Sequence, residues 1–227
     1  KNNNSIFSTN ILGTLNLLLA LKENDKLKRF VNLGSFFENI TNNENDCNLT
    51  KKLDAYTISK IIQTSLVKKF HTEENLPTIT LRIFTPYGRF DSPGRLISDI
   101  MIAIIRNKSL EITSRNSIRD FIHIDDVIRA LEVAGKQSDI EGEMFDVGTG
   151  KGKSVEEIVK IAENLVERDC NILLNDKKIR EFDKRDFQIF VNSNNDKKFD
   201  WEPKISINVG IKKTYEWYKQ NINLYND

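Results

Sequence analysis

The sequence predicts an α/β protein in which helices cover a parallel sheet. Helical patterns alternate with short β-branched, apolar segments through the first half of the chain, and such alternation is typical of parallel strands joined by crossover helices. Composition agrees, because 39% hydrophobic and 30% charged residues in a chain of 227 are ordinary for a globular protein with a sizeable core. The formal net charge of +1, with both signs interspersed, gives no basic footprint for nucleic acid.

The first half of the chain supplies this alternation. Apolar residues lie nearly all round NILGTLNLLLALKEN (10–24), which predicts a helix packed on both sides. KRFVNLGS (28–35) is an apolar run ended by glycine and serine, which indicates a buried strand opening into a turn. A polar loop (38–54) then precedes a helical pattern, YTISKIIQTSLVKKFHTEEN (56–75), and a β-branched strand, PTITLRIF (77–84).

The second half is less regular and its predicted elements are shorter. TPYGRFDSPGR contains two prolines and two glycines and predicts a loop. Ser154 and Glu157 have the spacing of a capping box, which places a helix start at about Val155. The predicted elements are the loop (85–95), a helix (96–107), a short strand (110–113), a strand passing into a helix (119–136), a strand (143–149), the capped helix (155–167) and a last segment (200–221) that ends in an amphipathic helix.

The glycine-rich segment GTGKGKS (148–154) invites comparison with a phosphate-binding loop. The spacing differs, because Val147 stands where that loop requires its first glycine. A turn that feeds the capped helix explains the same residues without a ligand. The chain also contains no Gly-x-Gly-x-x-Gly, so the usual dinucleotide fingerprint is absent from it.

Metal and membrane sites are not predicted. Cys47 and Cys170 lie far apart without Cys-x-x-Cys spacing, and only His71 and His123 could join them as soft ligands. No apolar run approaches the roughly 18 residues of a membrane span, and the first ten residues lack the layout of a signal peptide. We therefore expect a cytoplasmic protein without membrane or nucleic-acid partners.

Tyr56 and Lys60 are the strongest chemical signal. Residues four apart on a helix share one face. An enzyme that removes a proton from an alcohol while hydride leaves its carbon needs a base, and a free tyrosine, with a pKa of about 10, is protonated at neutral pH. A neighbouring lysine can stabilise the phenolate by its charge. Ser35, at the end of the preceding strand, could hold the substrate oxygen.

Six segments resemble those of the extended short-chain dehydrogenase/reductase family, particularly its nucleotide-sugar epimerases, dehydratases and reductases. They occur in the family's order: TNILGTLNLL, RFVNLGSFFE before the Tyr-x-x-x-Lys helix, LRIFTPYG, PGRLIS, RDFIHIDDVIRA and FDWEPKISINVGIKKTYEWY. The resemblance implies a Rossmann-like parallel sheet lacking its first βαβ units, with a smaller α+β substrate-binding region. It assigns 1–85 to the remainder of the NAD(P)-binding domain, with 119–137 returning to it, and 86–118 and 138–227 to the nucleotide-sugar-binding region.

The resemblance also implies roles for individual residues. Tyr56 would be the acid/base, Lys60 its activator and a ligand of the cofactor ribose, and Ser35 the group that orients the substrate hydroxyl. The cofactor, NAD or NADP, would also contact Asn10, Leu33 and Phe84. The sugar nucleotide would contact Thr85, Arg95, Leu96 and Arg119, with Arg180 as a further phosphate ligand, and no metal takes part.

Two departures from the family pattern bear on the reaction. Family dehydratases carry Thr-Asp-Glu where this chain has Ser35, Phe36 and Phe37, so elimination lacks its two carboxylates. Thr85 replaces the usual asparagine and loses its amide donor. We therefore expect a nucleotide-sugar 4-epimerase or 4-keto-reductase. The alternatives are a 4,6-dehydratase or a non-catalytic NAD(P)-binding protein.

The resemblance carries two further expectations. Family members form homodimers through the helices that here start near Asn10 and Tyr56. The family also places its glycine fingerprint in βαβ units that precede the first segment matched here. We therefore expect the chain as given to be a fragment that binds dinucleotide poorly.

Overall fold

The computed structural model describes residues 3–38, 53–113, 117–166, 170–175 and 198–225. The chain divides into two compact units. Unit 1 comprises 1–83, 129–147 and 194–201, and unit 2 comprises 84–128, 148–193 and 202–227. Two residues named above, Cys47 and Arg180, lie outside the described residues.

A parallel sheet of three strands forms the centre of unit 1. The strands β1 (Phe30–Ser35), β2 (Thr78–Ile83) and β6 (Met144–Val147) lie in the order β1-β2-β6, and both pairs run parallel. This arrangement confirms the α/β prediction. The register sets Ser35 opposite Ile83, and Ile83 opposite Val147, so the carboxyl ends of all three strands share one edge. Strand β6, which the sequence assigned to the sugar-binding region, pairs with β2 in this unit.

The first helix of unit 1 is continuous but not uniform. It consists of α1 (Asn3–Phe7), a π-helical segment (Ser8–Gly13) and α2 (Thr14–Leu21). Contrary to the sequence-based expectation, Asn3–Leu21 is long and apolar enough to cross a membrane by length and composition alone, a criterion that core helices of soluble proteins and signal sequences also meet. Leu18 is fully buried, whereas three leucines on other faces are about half exposed: Leu12, Leu17 and Leu19.

Helix α3 (Ala55–Glu74) carries the Tyr-x-x-x-Lys sequence. It begins where the Asp54 side chain accepts a hydrogen bond of 2.7 Å from the Thr57 N–H, and it ends at Asn75, whose φ of 54° is left-handed. Val67 packs with Leu18 and Leu76 in a small core. Burial of these side chains therefore fixes α3 against α2 and the sheet.

Unit 2 contains short strands and most of the larger hydrophobic core. Strands β3 (Thr85–Tyr87), β5 (Ile118–His123) and β7 (Gly152–Ser154) form one sheet, with β3 parallel and β7 antiparallel to β5. Strands β4 (Leu110–Thr113) and β8 (Ile172–Asn175) form a second, parallel pair. The helices are α4 (Leu96–Arg106), α5 (Ile124–Lys136, which continues into unit 1), α6 (Val155–Val166) and α7 (Ile207–Asn221).

Unit 2 differs from the sequence-based expectation in two details and agrees with it in a third. Thr85–Tyr87 is a strand rather than part of a loop, and β7 and β8 were not predicted. The capping box is confirmed: the Glu157 N–H donates to Ser154 Oγ (3.1 Å) and the Ser154 N–H donates to Glu157 Oε2 (2.8 Å).

The glycine-rich loop of unit 2 gives its backbone donors to a protein carboxylate. Asp120 is fully buried, and its Oδ2 accepts from the N–H groups of Gly150 (2.7 Å) and Thr149 (2.9 Å). The Thr149 hydroxyl also donates to Asp120. Gly150 has a φ of 70°, which favours glycine. The amides that a phosphate loop would offer to a ligand are therefore already used, as the turn interpretation predicts.

Candidate active site

Lys60 is held against the carboxyl end of β1. Its ammonium donates to the Leu33 carbonyl oxygen (2.8 Å) and to Gln63 Oε1 (2.8 Å), and the Gln63 amide in turn donates to Thr14 Oγ1 (3.0 Å). An ammonium has three N–H donors. The described residues accept from two of them, so the third can bind a ligand. Burial lowers the pKa of Lys60 below the ordinary lysine value, and the Glu38 carboxylate opposes that shift.

Tyr56 and Ser35 lie beside the same strand end. The Tyr56 ring meets the Phe37 ring edge-on, with centroids 6.2 Å apart, and the side chain remains 39% exposed. Ser35 is buried, and its Oγ accepts a long hydrogen bond from the Phe37 N–H (3.4 Å). Within the described residues the Ser35 hydroxyl donates to no protein acceptor, so its proton is available. Unit 1 thus brings the predicted serine, tyrosine and lysine to one edge of its sheet.

The residues predicted to contact cofactor take different positions. The Asn10 amide donates to Ser59 Oγ (2.9 Å), and the Ser59 hydroxyl donates to the Tyr56 carbonyl oxygen (2.7 Å), so Asn10 ties the first helix to α3. Leu33 is 44% exposed and contributes its carbonyl to Lys60. Phe84 is buried in unit 2. The cofactor role of each of the three stays a prediction.

Unit 2 contains a cavity of about 520 Å³. Of the five residues predicted to hold the sugar nucleotide, the four that the structure describes line it: Thr85, Arg95, Leu96 and Arg119. The volume lies within the range of small-molecule sites, which is roughly 300–1,000 Å³. Sequence reasoning did not find the other polar lining residues, which include Asp91, Asp99, Glu111 and Thr113.

Thr85 leaves a polar atom unused in the wall of this cavity. Its Oγ1 is buried and has no hydrogen-bond partner among the described residues. An unpaired buried hydroxyl costs free energy of about 1–3 kcal/mol, and a ligand that bonds to it would remove that cost. Thr85, which stands where the resembled family usually has asparagine, is therefore still placed to contact a polar ligand.

Charge in the cavity is mixed rather than purely basic. Arg95 Nε lies 3.4 Å from Oδ1 of Asp91, four residues earlier in the loop before α4. Burial raises the pKa of Asp91, and Arg95 opposes that shift. Because the Arg95 guanidinium is 57% exposed, it can exchange this carboxylate for a ligand phosphate at small cost.

Glu38 is a site residue that sequence reasoning missed. It follows the strand end by three residues, and its side chain is turned inward, where Oε1 accepts from the Ser35 N–H (2.6 Å). The rings of Phe36 and Phe37, which follow Ser35, pack against each other with centroids 4.0 Å apart. An acidic residue three positions after the strand end, beyond two phenylalanines, was the available signal. Within the described residues, no group of three or more metal-ligating side chains occurs.

Comparison with known proteins places these features in context. The model of the NAD dependent epimerase/dehydratase family matches residues 1–148. The trifunctional UDP-glucose 4,6-dehydratase/UDP-4-keto-6-deoxy-D-glucose 3,5-epimerase/UDP-4-keto-L-rhamnose-reductase of Arabidopsis thaliana is 28% identical over 227 residues. That match covers 96% of this chain and 33% of the plant protein, so the chain spans about a third of that relative.

Single-function relatives are also similar. A UDP-glucuronate 4-epimerase from Thermodesulfobacterium geofontis is 29% identical over 222 residues, which cover 95% of this chain and 67% of that protein. The structure of a UDP-glucuronic acid 4-epimerase from Bacillus cereus, in complex with UDP-glucuronic acid and NAD, has a TM-score of 0.79 and 23% identity. It covers 94% of this chain and 68% of that one, and it supports the Rossmann-like fold.

Proposed function

The chain belongs to the NAD dependent epimerase/dehydratase family, and from that premise we propose that it acts in a nucleotide-sugar 4-epimerase or 4-keto-reductase. The observation that carries the proposal is the position of Lys60. It lies one helical turn after Tyr56 on α3, and its ammonium donates to the Leu33 carbonyl oxygen at the end of β1. Unit 1 would supply the cofactor side and unit 2 the sugar-nucleotide side. The similar Bacillus cereus structure is a complex with UDP-glucuronic acid and NAD, which agrees with a cofactor and a nucleotide sugar as the two proposed ligands.

The cofactor would be NAD or NADP, which exchanges a hydride with the sugar carbon when bound. Lys60 would hold the cofactor ribose with its third N–H. Tyr56 takes the proton from the sugar hydroxyl when the carbon is oxidised and returns it when the ketone is reduced. The positive charge of Lys60 stabilises the phenolate in between. The Ser35 hydroxyl donates to the same sugar oxygen and keeps it in line with Tyr56.

The polar wall of the unit 2 cavity would hold the nucleotide diphosphate. The planar guanidinium groups of Arg95 and Arg119 can each donate two parallel hydrogen bonds to phosphate oxygens. Thr85 would donate its unpaired hydroxyl to the sugar or to a phosphate. Elimination is disfavoured, because Phe36 and Phe37 offer no carboxylate where a 4,6-dehydratase needs two.

The proposal extends to a homodimer through the first helix and α3. Leu12, Leu17 and Leu19 of that helix are about half exposed, and Ile62 of α3 is 37% exposed. Exposed apolar side chains on these two helices support an interface with a second copy of the chain.

Replacement of Tyr56 by phenylalanine tests the catalytic assignment. In the protein that carries this chain, Tyr56→Phe should abolish turnover of nucleotide sugars while circular dichroism and the urea midpoint stay at the parent values. Tyr215→Phe removes the same hydroxyl from α7 in unit 2, so it serves as the matched control and should keep activity. Turnover by Tyr56→Phe at the parent rate would refute the assignment.

Two further measurements separate the remaining reactions. A nucleotide 4-ketosugar supplied with NADPH should be reduced with steady loss of absorbance by a reductase, whereas an epimerase consumes no net cofactor. A protein that binds cofactor but converts no nucleotide sugar would favour the non-catalytic alternative.

A further inference from the structure

We propose that Glu38 is a positioning residue for the proposed reaction, acting as the counter-charge that keeps Lys60 cationic at the carboxyl end of β1. This inference rests on the proposed function for its catalytic meaning. Its structural basis is independent of that function, because it concerns contacts within unit 1 alone.

Neighbouring peptide groups bring the two side chains to one place. The Lys60 ammonium donates to the carbonyl of Leu33, and the Glu38 carboxylate accepts from the N–H of Ser35, two residues later on the same strand. Gly34 lies between them, and a Cβ on it would come within 2.8 Å of Glu38 Oε1. Glu38 is 93% buried, since its relative exposure is 7%. The strand end is therefore packed around this carboxylate.

The direct hydrogen-bond partners of Lys60 are uncharged. They are a backbone carbonyl and the amide oxygen of Gln63, and neither compensates a positive charge that has lost part of its hydration. Burial lowers the pKa of Lys60, and Glu38 is the group that raises it again. Without a negative charge nearby, the lysine would lose its proton more readily, and with it the ability to stabilise a phenolate.

The other cation that acts on Glu38 is already paired. The charge of Arg82 on β2 also favours the Glu38 carboxylate, but its Nε binds Asp146 Oδ1 of β6 at 2.7 Å. On the helix side, α2 presents Thr14 to Gln63, and both are uncharged. Of the two cations that act on Glu38 among the described residues, Lys60 is thus the one with no carboxylate bound to it. Burial raises the pKa of Glu38, while the Ser35 N–H, the Thr64 hydroxyl, Arg82 and Lys60 oppose that shift.

Glu38→Gln separates charge from shape, because the amide oxygen can still accept from the Ser35 N–H. The titration of Lys60 is measured by competitive amine labelling across pH, followed by mass spectrometry of the peptide, which requires no turnover. We expect Glu38→Gln to move the labelling midpoint to lower pH and to raise the labelling rate at neutral pH by about threefold to tenfold. Glu23→Gln, at an exposed position, should leave both unchanged. The alkaline limb of the kcat/KM profile should move to lower pH together with the labelling midpoint.

An unchanged Lys60 titration in folded Glu38→Gln would overturn the inference and leave Glu38 a structural cap of the strand end. If that variant does not fold, Lys60→Gln provides the reciprocal test. Loss of the cation should raise the pKa of Glu38, followed through its carboxyl carbon by nuclear magnetic resonance, and an unchanged value would also overturn the inference. Failure of the proposed function is a different outcome, recognised by an active Tyr56→Phe protein, and does not alter either titration.

Discussion

Asp120 offers a direct measure of what organises the glycine-rich loop in unit 2. Its buried carboxylate accepts from the N–H groups of Thr149 and Gly150. A hydrogen bond to a charged acceptor contributes about 1.5–3 kcal/mol to stability, and one to a neutral acceptor about 0.5–1.5 kcal/mol. Asp120→Asn keeps one oxygen for both N–H groups but removes the charge. Each of the two N–H bonds then weakens by about 1 kcal/mol, and the Thr149 hydroxyl loses its carboxylate acceptor, so we expect a loss of at least about 2 kcal/mol in the free energy of unfolding.

Urea denaturation of the parent and two variants tests this value. Asp120→Asn should lower the midpoint without changing the slope, because the surface exposed on unfolding is the same. Asp200→Asn removes the same charge from an exposed position and should stay within about 0.5 kcal/mol of the parent. Equal stabilities for Asp120→Asn and Asp200→Asn would refute the reasoning, since the carboxylate charge would then contribute nothing to the loop.

Two other predictions concern pH and association. His123 is buried and its Nδ1 accepts from the Asp125 N–H (3.2 Å); burial lowers its pKa from the ordinary 6.5. Below about pH 6.5 the unfolded chain binds a proton at this histidine that the folded chain does not. The free energy of unfolding therefore has its full value above that pH and decreases as the pH falls below it. His123→Gln should reduce that slope by up to about 1.4 kcal/mol per pH unit, measured from urea midpoints between about pH 5 and pH 7; an unchanged slope would contradict the assignment. Leu17→Glu should convert the proposed dimer to a monomer in sedimentation velocity, whereas Leu173→Glu, an exposed leucine in unit 2 (61%), should not, and a monomeric parent would exclude the dimer.

Local patterns in the sequence were sufficient for the elements that bury one continuous face. Helix α3 (Ala55–Glu74) follows from its apolar period, and the parallel sheet follows from alternation of helix and strand. The capping box at Ser154 is likewise a contact between residues three apart. The helix and the capping box depend on neighbours in sequence, and the sheet class depends on the order of elements along the chain, which is why the sequence alone revealed them.

Two short strands, β7 and β8, were not predicted, although β4, with four residues, was. A segment of three or four residues is too short for its period to decide its structure. Gly152–Ser154 is a strand because β5 lies beside it, and Ile172–Asn175 because β4 does. Their hydrogen-bond partners come from other parts of the chain, and no local pattern specifies such a partner.

The sequence by itself determined the family resemblance, the helix that carries Tyr56 and Lys60, and the loss of the dehydratase carboxylates at Phe36 and Phe37. Only the tertiary structure decided the direction in which Glu38 turns and the use of the glycine-rich amides by Asp120. The physical reason is that a side chain's charge acts through space. Glu38 and Lys60 are 22 positions apart in sequence, and their coupling exists only because the folded strand end places both against neighbouring peptide groups.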